Sequence, residues 1–187
     1  MDEGGDAACW ADRVCDRCGR MSDGPHTCQP EVGPVTRVID AFHQDDQGDW
    51  VAELSCFHNQ HVRHRPPFVL RPWIETAEGR ADHIGTAIEC PLCARAELPD
   101  GLVVVRRAGP FDERTTPPAL RRDHVVAERT WGLLEVLDGQ LGFRMEGLHA
   151  TLHVGDRQPI PPGISHLVEP EHGARFAVDF LRAPSRS

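Results

Sequence analysis

The chain has 187 residues, 40% of them apolar, and a net charge of -9. That length suits one ordinary domain or two small ones, and the acidic balance argues against a nucleic-acid or anionic-membrane binder. The longest wholly apolar run, Leu102-Val103-Val104-Val105, is far short of a membrane span. All twenty cations are Arg, and Lys and Tyr are absent. The charge is uneven: 3 Arg stand against 7 acids up to Thr36, 6 against 11 from Arg37 to Val103, and 11 against 11 from Val104 on. This shift places a boundary near Gly101 and divides the chain into segments 1–36, 37–100 and 101–187.

The start, Met1-Asp2-Glu3-Gly4-Gly5-Asp6, is acidic where an export signal would be basic. The expected location is therefore the cytoplasm, and the seven cysteines read as thiolates or metal ligands rather than disulfides. Segment 1–36 holds Cys15-x2-Cys18 and then His26-x-Cys28 among Gly, Asp and Pro. C-x2-C is a knuckle that points two thiolates at one ion, and H-x-C completes a tetrahedral Cys3His set for structural zinc. Cys9 is left over, and Gln29 to Thr36 reads as a linker.

In segment 37–100, Arg37 to His43 and Trp50 to Leu54 are strand-like runs joined by Asp45-Asp46-Gln47-Gly48-Asp49, which predicts a hairpin. The second strand runs into Cys56-Phe57-His58-Asn59-Gln60-His61, and Cys90-Pro91-Leu92-Cys93 follows about thirty residues later. A Cys/His knuckle at a hairpin end joined to a distant C-x2-C is the layout of a zinc-ribbon-like site. Cys56, Cys90 and Cys93 are three ligands, and either His58 or His61 is the fourth. The His61/Arg63/His64/Arg65 face is cationic enough to hold an anion. The run Trp50 to Cys56, with His58, Gln60 to Phe68, Arg71-Pro72-Trp73 and Cys90 to Cys93, resembles a small bacterial family of unknown function, sometimes labelled pressure-regulated-protein-like. The resemblance covers about Val38 to Leu98, and it implies a glycine where this chain has Phe57.

From Val103 short runs alternate with turn signals, as in a barrel or sandwich. Expected strands are Val103–Arg107, Leu120–Val126, Trp131–Leu137, Gln140–Met145, Ala150–Val154, His166–Glu169 and Arg175–Leu181. Asp138-Gly139 predicts a two-residue hairpin. Phe176, Val178 and Phe180 form one core face, which leaves Asp179 opposite them, solvent-facing or paired with an Arg. The stretch Gly155 to His166 has the form G-x5-P-x-G-x2-H: a short strand, a Pro/Gly turn, and a second strand led by a histidine whose direction the turn sets.

That pattern resembles the second motif of the cupin family, whose corresponding histidine is a metal ligand. More broadly, Pro110-Phe111, Pro117 to His124, Thr130-Trp131-Gly132, Val136 to Leu141, Pro161 to His166, Val168-Glu169-Pro170 and Val178-Asp179-Phe180 resemble the TehB/YeaR-like cupin family, associated with tellurite resistance. The resemblance implies a single cupin barrel over about Arg106 to Arg182, after small zinc-ribbon-like modules, in a mainly β chain. The usual first cupin motif is eroded. His124 and Glu128, placed on one strand face by alternation, would join His166 in a two-His-one-carboxylate site for Fe2+, Mn2+ or Zn2+. Glu169 is the weaker candidate for the carboxylate.

Three functions follow. The first is a cytoplasmic metal-binding stress protein, zinc-stabilised, whose small cupin binds a metal or a small anion. The second is a metal-dependent cupin oxygenase using His124, Glu128 and His166. The third is a thiol and zinc sensor acting through a protein partner by Cys15, Cys18 and Cys28. Other cupins make a homodimer plausible.

Overall fold

In the computed structural model the described residues are 33–184 apart from 66 and 68, together with the strands β1 (Arg13–Val14) and β2 (Met21–Ser22). β1 and β2 pair antiparallel. Cys9, Cys15, Cys18, His26 and Cys28 lie outside the described residues, and so does the N-terminal zinc expectation.

The protein is mainly β. The first half is a four-stranded sheet in the order β5-β4-β3-β6, from β3 (Thr36–Gln44), β4 (Trp50–Leu54), β5 (Asn59–His61) and β6 (Ala87–Glu89). The predicted hairpin joins β3 to β4. Asp45 closes its turn, its carboxylate accepting from the Gln47 and Asp49 amides at 2.9 Å each. A 3-10 turn (Pro72–Glu75) and α1 (Ala77–His83) follow. Thr76 caps α1 by accepting from the Gly79 amide. The helix brings Arg80 over the Trp50 ring at 3.5 Å and stacks His83 on Trp73 at 3.7 Å, with Phe42 edge-on to Trp73. This aromatic layer tethers the helical segment to the sheet. The short α2 (Pro91–Ala94) then carries the second cysteine pair.

The second half has two sheets that close over one core as a half-barrel. β7 (Val103–Phe111), β8 (Trp131–Asp138), β11 (Arg157–Ile160) and β13 (Arg175–Arg182) form one, in the order β11-β8-β13-β7. The other, β10-β9-β12, contains β9 (Gln140–Met145), β10 (Leu148–His153) and β12 (His166–Pro170). Of the strands expected from Val103 onward all are present with boundaries moved by a few residues, except Leu120–Val126. Pro117 and Pro118 start a 3-10 turn (Pro118–Arg121) there, and only His124 pairs, bridging backbone to backbone with His166. The chain then turns at Ala127–Thr130, with Arg129 at φ 55. The alternation expected to carry 124, 126 and 128 on one face therefore stops after Val126.

β8 and β13 bury both faces. Val178 opposes Leu134 and Phe176 opposes Val136, toward the half-barrel interior. Leu181 opposes Trp131 and Asp179 opposes Leu133 on the outer face, and these four are buried too. Trp131, fully buried, has the first half of the chain against it. The buried residues of both halves form one continuous cluster from Val35 to Leu181. Asp179, expected to face solvent or pair with an Arg, takes the second course: Arg107 donates to it at 2.8 Å.

At the Asp138-Gly139 hairpin, Gly139 has φ 67 and an added Cβ would sit 2.9 Å from the Ala174 Cα. Gly139→Ala is expected to cost about 1–3 kcal/mol. Urea unfolding checks this: the midpoint should fall with the slope unchanged.

Candidate metal centre and barrel cavity

Cys56 leaves the end of β4 through a tight turn. The Phe57 amide donates to the Leu54 carbonyl at 2.7 Å, and the Leu54 amide donates to the His58 carbonyl at 2.9 Å. Phe57 takes φ 72, the left-handed region that glycine enters freely. The turn implied by the family resemblance is thus made without its glycine. Opposite it, Cys90 caps α2, with Pro91 at the first helical position and Cys93 one turn on. The Cys90 amide is held by the Val35 carbonyl at 2.7 Å, which fixes this knuckle to the approach of β3.

The two knuckles bring Cys56, His58, Cys90 and Cys93 together, all buried, with their ligand atoms within 4.8 Å of one another. The Cys56 and Cys90 sulfurs are 3.8 Å apart. His58 Nδ1 lies 3.5, 3.4 and 3.6 Å from the sulfurs of Cys56, Cys90 and Cys93. A tetrahedral ion with bonds of about 2.3 Å to sulfur and about 2.0–2.1 Å to nitrogen has edges of about 3.8 Å and about 3.6 Å. The Cys56–Cys90 edge and the three edges to His58 match those of such a tetrahedron. His58 Nε2 is buried with no hydrogen-bond partner, so Nδ1 is the nitrogen aimed at the group. The residues fit a metal ion such as zinc, and they fill all four positions of a structural site.

His58 closes the set, and His61 does not. The three-residue spacing from His58 puts His61 on β5, half-exposed, where its Nε2 pairs with Asp45 at 2.8 Å. Arg63 is likewise neutralised by Asp49, and the His64 ring accepts the Arg71 amide, so the expected cationic face is largely spent on internal contacts.

Two residues outside the motifs hold the group to the second half. The Arg37 Nε donates to the Cys93 sulfur at 3.3 Å, while its terminal nitrogen donates to the Pro162 carbonyl at 2.7 Å. The Trp131 indole donates to the Cys56 carbonyl at 2.9 Å and meets the His58 ring edge to face at 5.5 Å. A guanidinium beside the thiolates also offsets the net negative charge of a Cys3His site around a divalent ion. Nothing in the local sequence marks Arg37. Trp131 carries a family likeness, but nothing beside it in the sequence marks this contact.

Without an ion the four groups share protons. Burial by itself would depress His58, but its contacts with the Cys56 and Cys90 sulfurs raise it to about 9. The Cys56 thiol, donating to Cys90, holds Cys90 far below the ordinary thiol range, whereas Cys93 is pushed up by the same neighbours.

Between the sheets of the half-barrel lies a cavity of about 250 Å3. His124 and His166 both line it, their ring centroids 5.4 Å apart. His166 leads β12, as expected. Its Nδ1 lies 3.2 Å from the Ile164 carbonyl, which can only accept, so Nδ1 carries the proton and Nε2 keeps its lone pair. Burial, then the nearby His124, lower the His166 pKa, which leaves the ring neutral. Glu128 stands apart from this pair. It is exposed in the turn after Val126, beside Gly163, and does not line the cavity. Glu169 is exposed on β12 and pairs with Arg144 at 3.1 Å. Among the described residues, the Cys3His set is the one group of three or more such side chains placed to hold an ion. Sequence reading missed Arg106, which also lines the cavity.

Trp131→Phe should destabilise the protein by about 1–3 kcal/mol, because it leaves the buried Cys56 carbonyl without its donor; chemical denaturation reads this. Metal binding should tighten as pH rises from about 6 to 8, with proton release, because the ion displaces the His58 and thiol protons. Calorimetric titration of zinc in buffers of different ionisation enthalpy measures both.

No helix among the described residues is long and apolar enough to cross a membrane. Comparison with known proteins finds no curated protein that matches. The crystal structure of a protein from E. coli (strain K12) is 18% identical and covers 47% of this chain and 97% of that one, with a TM-score of 0.44. Residues 40–97, which contain the whole metal centre, match the model of a protein family of unknown function (DUF3565), and residues 106–178, which contain most of the half-barrel, match the TehB-like domain.

Proposed function

We propose that this protein is a zinc-stabilised small-molecule-binding protein. In this reading the Cys3His group holds one structural zinc ion, and the half-barrel is a small cupin that binds a small anion. The observation that carries it is the place of Trp131. This residue opens barrel strand β8, and it is also the wall and the hydrogen-bond donor of the metal centre. A metal site with four buried protein donors leaves no position for substrate, so its contribution is mechanical. The cavity on the other face of the same sheet is where a ligand has room.

An anion suits that cavity better than a metal. His124 and His166 lack a third ligand, since Glu128 lies outside the lining. The metal-dependent oxygenase would need that third ligand. Cysteines used as zinc ligands and not as disulfides suit a reducing compartment, which supports a cytoplasmic location. The TehB-like match associates the half-barrel with tellurite resistance, and a stress-response role accords with it.

Elemental analysis of the full-length chain tests this reading. Cys90→Ser should remove one equivalent of zinc and lower the thermal midpoint of the whole molecule, whereas His124→Ala and His166→Ala should leave metal content unchanged. Loss of metal on substituting either barrel histidine would overturn it.

A further inference from the structure

The half-barrel cavity is lined by fifteen residues, twelve apolar and three polar, the polar ones being Arg106, His124 and His166. No carboxylate is among them. Its volume, about 250 Å3, is below the ~300–1,000 Å3 of pockets for drug-sized ligands. Phe111, Phe176 and Phe180 supply aromatic walls, and Leu134, Ile160 and Val168 supply aliphatic ones.

The two adjacent arginines of β7 have opposite fates. Alternation sends Arg107 outward, where it donates to Asp179 at 2.8 Å and Glu135 at 2.5 Å. Arg106 goes to the cavity side. There its guanidinium lies 5.4 Å over the Phe180 ring, with no acidic partner among the described residues. One cation is spent on the fold, and its neighbour is left facing a pocket. His166 is neutral and already bonded to Ile164, so it adds no charge to the pocket. Arg106 and the partly exposed His124 are the groups placed to meet an anionic head.

An inorganic oxyanion fits this pocket poorly. Its several oxygens all need donors, and burying them against twelve apolar side chains leaves most unsatisfied. A carboxylate needs only a forked guanidinium and one further donor, and its carbon skeleton gains from the apolar wall. We infer that the cavity takes a small organic monocarboxylic acid with an apolar body, a single ring or a short branched chain, with the carboxylate on Arg106 and His124 and the body among the phenylalanines. This inference rests on the reading of the half-barrel as an anion-binding module and narrows it to one ligand class.

Protein-observed NMR of the full-length, zinc-loaded chain tests it, with benzoate as the probe, benzyl alcohol as the neutral isostere, and tellurite and phosphate as the inorganic anions. Benzoate should shift the His124 and His166 ring signals saturably. Benzyl alcohol should bind at least tenfold more weakly, and neither inorganic anion should compete. Arg106→Gln should weaken benzoate at least tenfold while the thermal midpoint holds, because Arg106 is exposed and, among the described residues, its guanidinium has the Phe180 ring and no acidic group as partner. His124→Gln should weaken it less. If tellurite or phosphate binds and displaces benzoate, or if Arg106→Gln leaves benzoate affinity unchanged, the ligand class is wrong while the binding module stands. If none of the four probes moves the histidine signals, both the ligand class and the anion-binding reading fall.

Discussion

The structure is tied together where the Cys3His group meets Trp131 and Arg37. Cys56 ends β4, Cys90 and Cys93 bracket the start of α2, Arg37 comes from β3, and Trp131 opens β8. Thirty-four residues separate Cys56 from Cys90, and seventy-five separate Cys56 from Trp131. An ion here would close long loops at one point, and loop-closure entropy is what such a clip removes from the unfolded chain. The first half has a thin core of its own, with a sheet of short strands and a single layer of aromatic and helical cover. The metal centre and the continuous apolar cluster give it an anchor on the larger half.

The same junction explains why β8 and β13 read as they do. A sheet with one face on a barrel interior and the other in water alternates apolar and polar residues. Here Trp131 on the outer face meets Cys56 and His58 of the first half, and Leu133 and Leu181 on that face are buried too, so the strands bury both faces. Asp179 sits on that covered face. It is kept by Arg107, which reaches across from the neighbouring strand. A buried carboxylate without such a cation would be costly.

Arg37 also gives the metal centre a mechanical link to the cavity. It spans the Cys93 sulfur and the Pro162 carbonyl, and Pro162 belongs to the turn that leads through Ile164 to His166. The position of the cavity histidine thus rests on a turn that one guanidinium holds to the thiolate cluster. Cluster and cavity occupy opposite sides of the same sheet, connected by side chains.

Much of this was legible along the chain. The β3–β4 hairpin, the Asp138-Gly139 turn, the strands expected after Trp131 and the three cysteines brought together with His58 are local patterns. Turn residues, period-two alternation and C-x2-C spacing each act over a few residues, and each had one outcome to specify. The choice of His58 over His61 was not local in that sense. It depended on Phe57 entering the left-handed region and on β5 carrying His61 to the other side of the knuckle. The strand expected at Leu120–Val126 failed because Pro117 and Pro118 start a 3-10 turn that runs to Arg121, and the separate turn at Ala127–Thr130 keeps Glu128 out of the cavity. Only the tertiary structure decided that Arg106 faces a pocket while Arg107 pairs outside, that Arg37 touches a cysteine fifty-six residues away, and that Trp131 closes the metal centre. These contacts come from register and packing between distant segments, and no short window of sequence contains both partners.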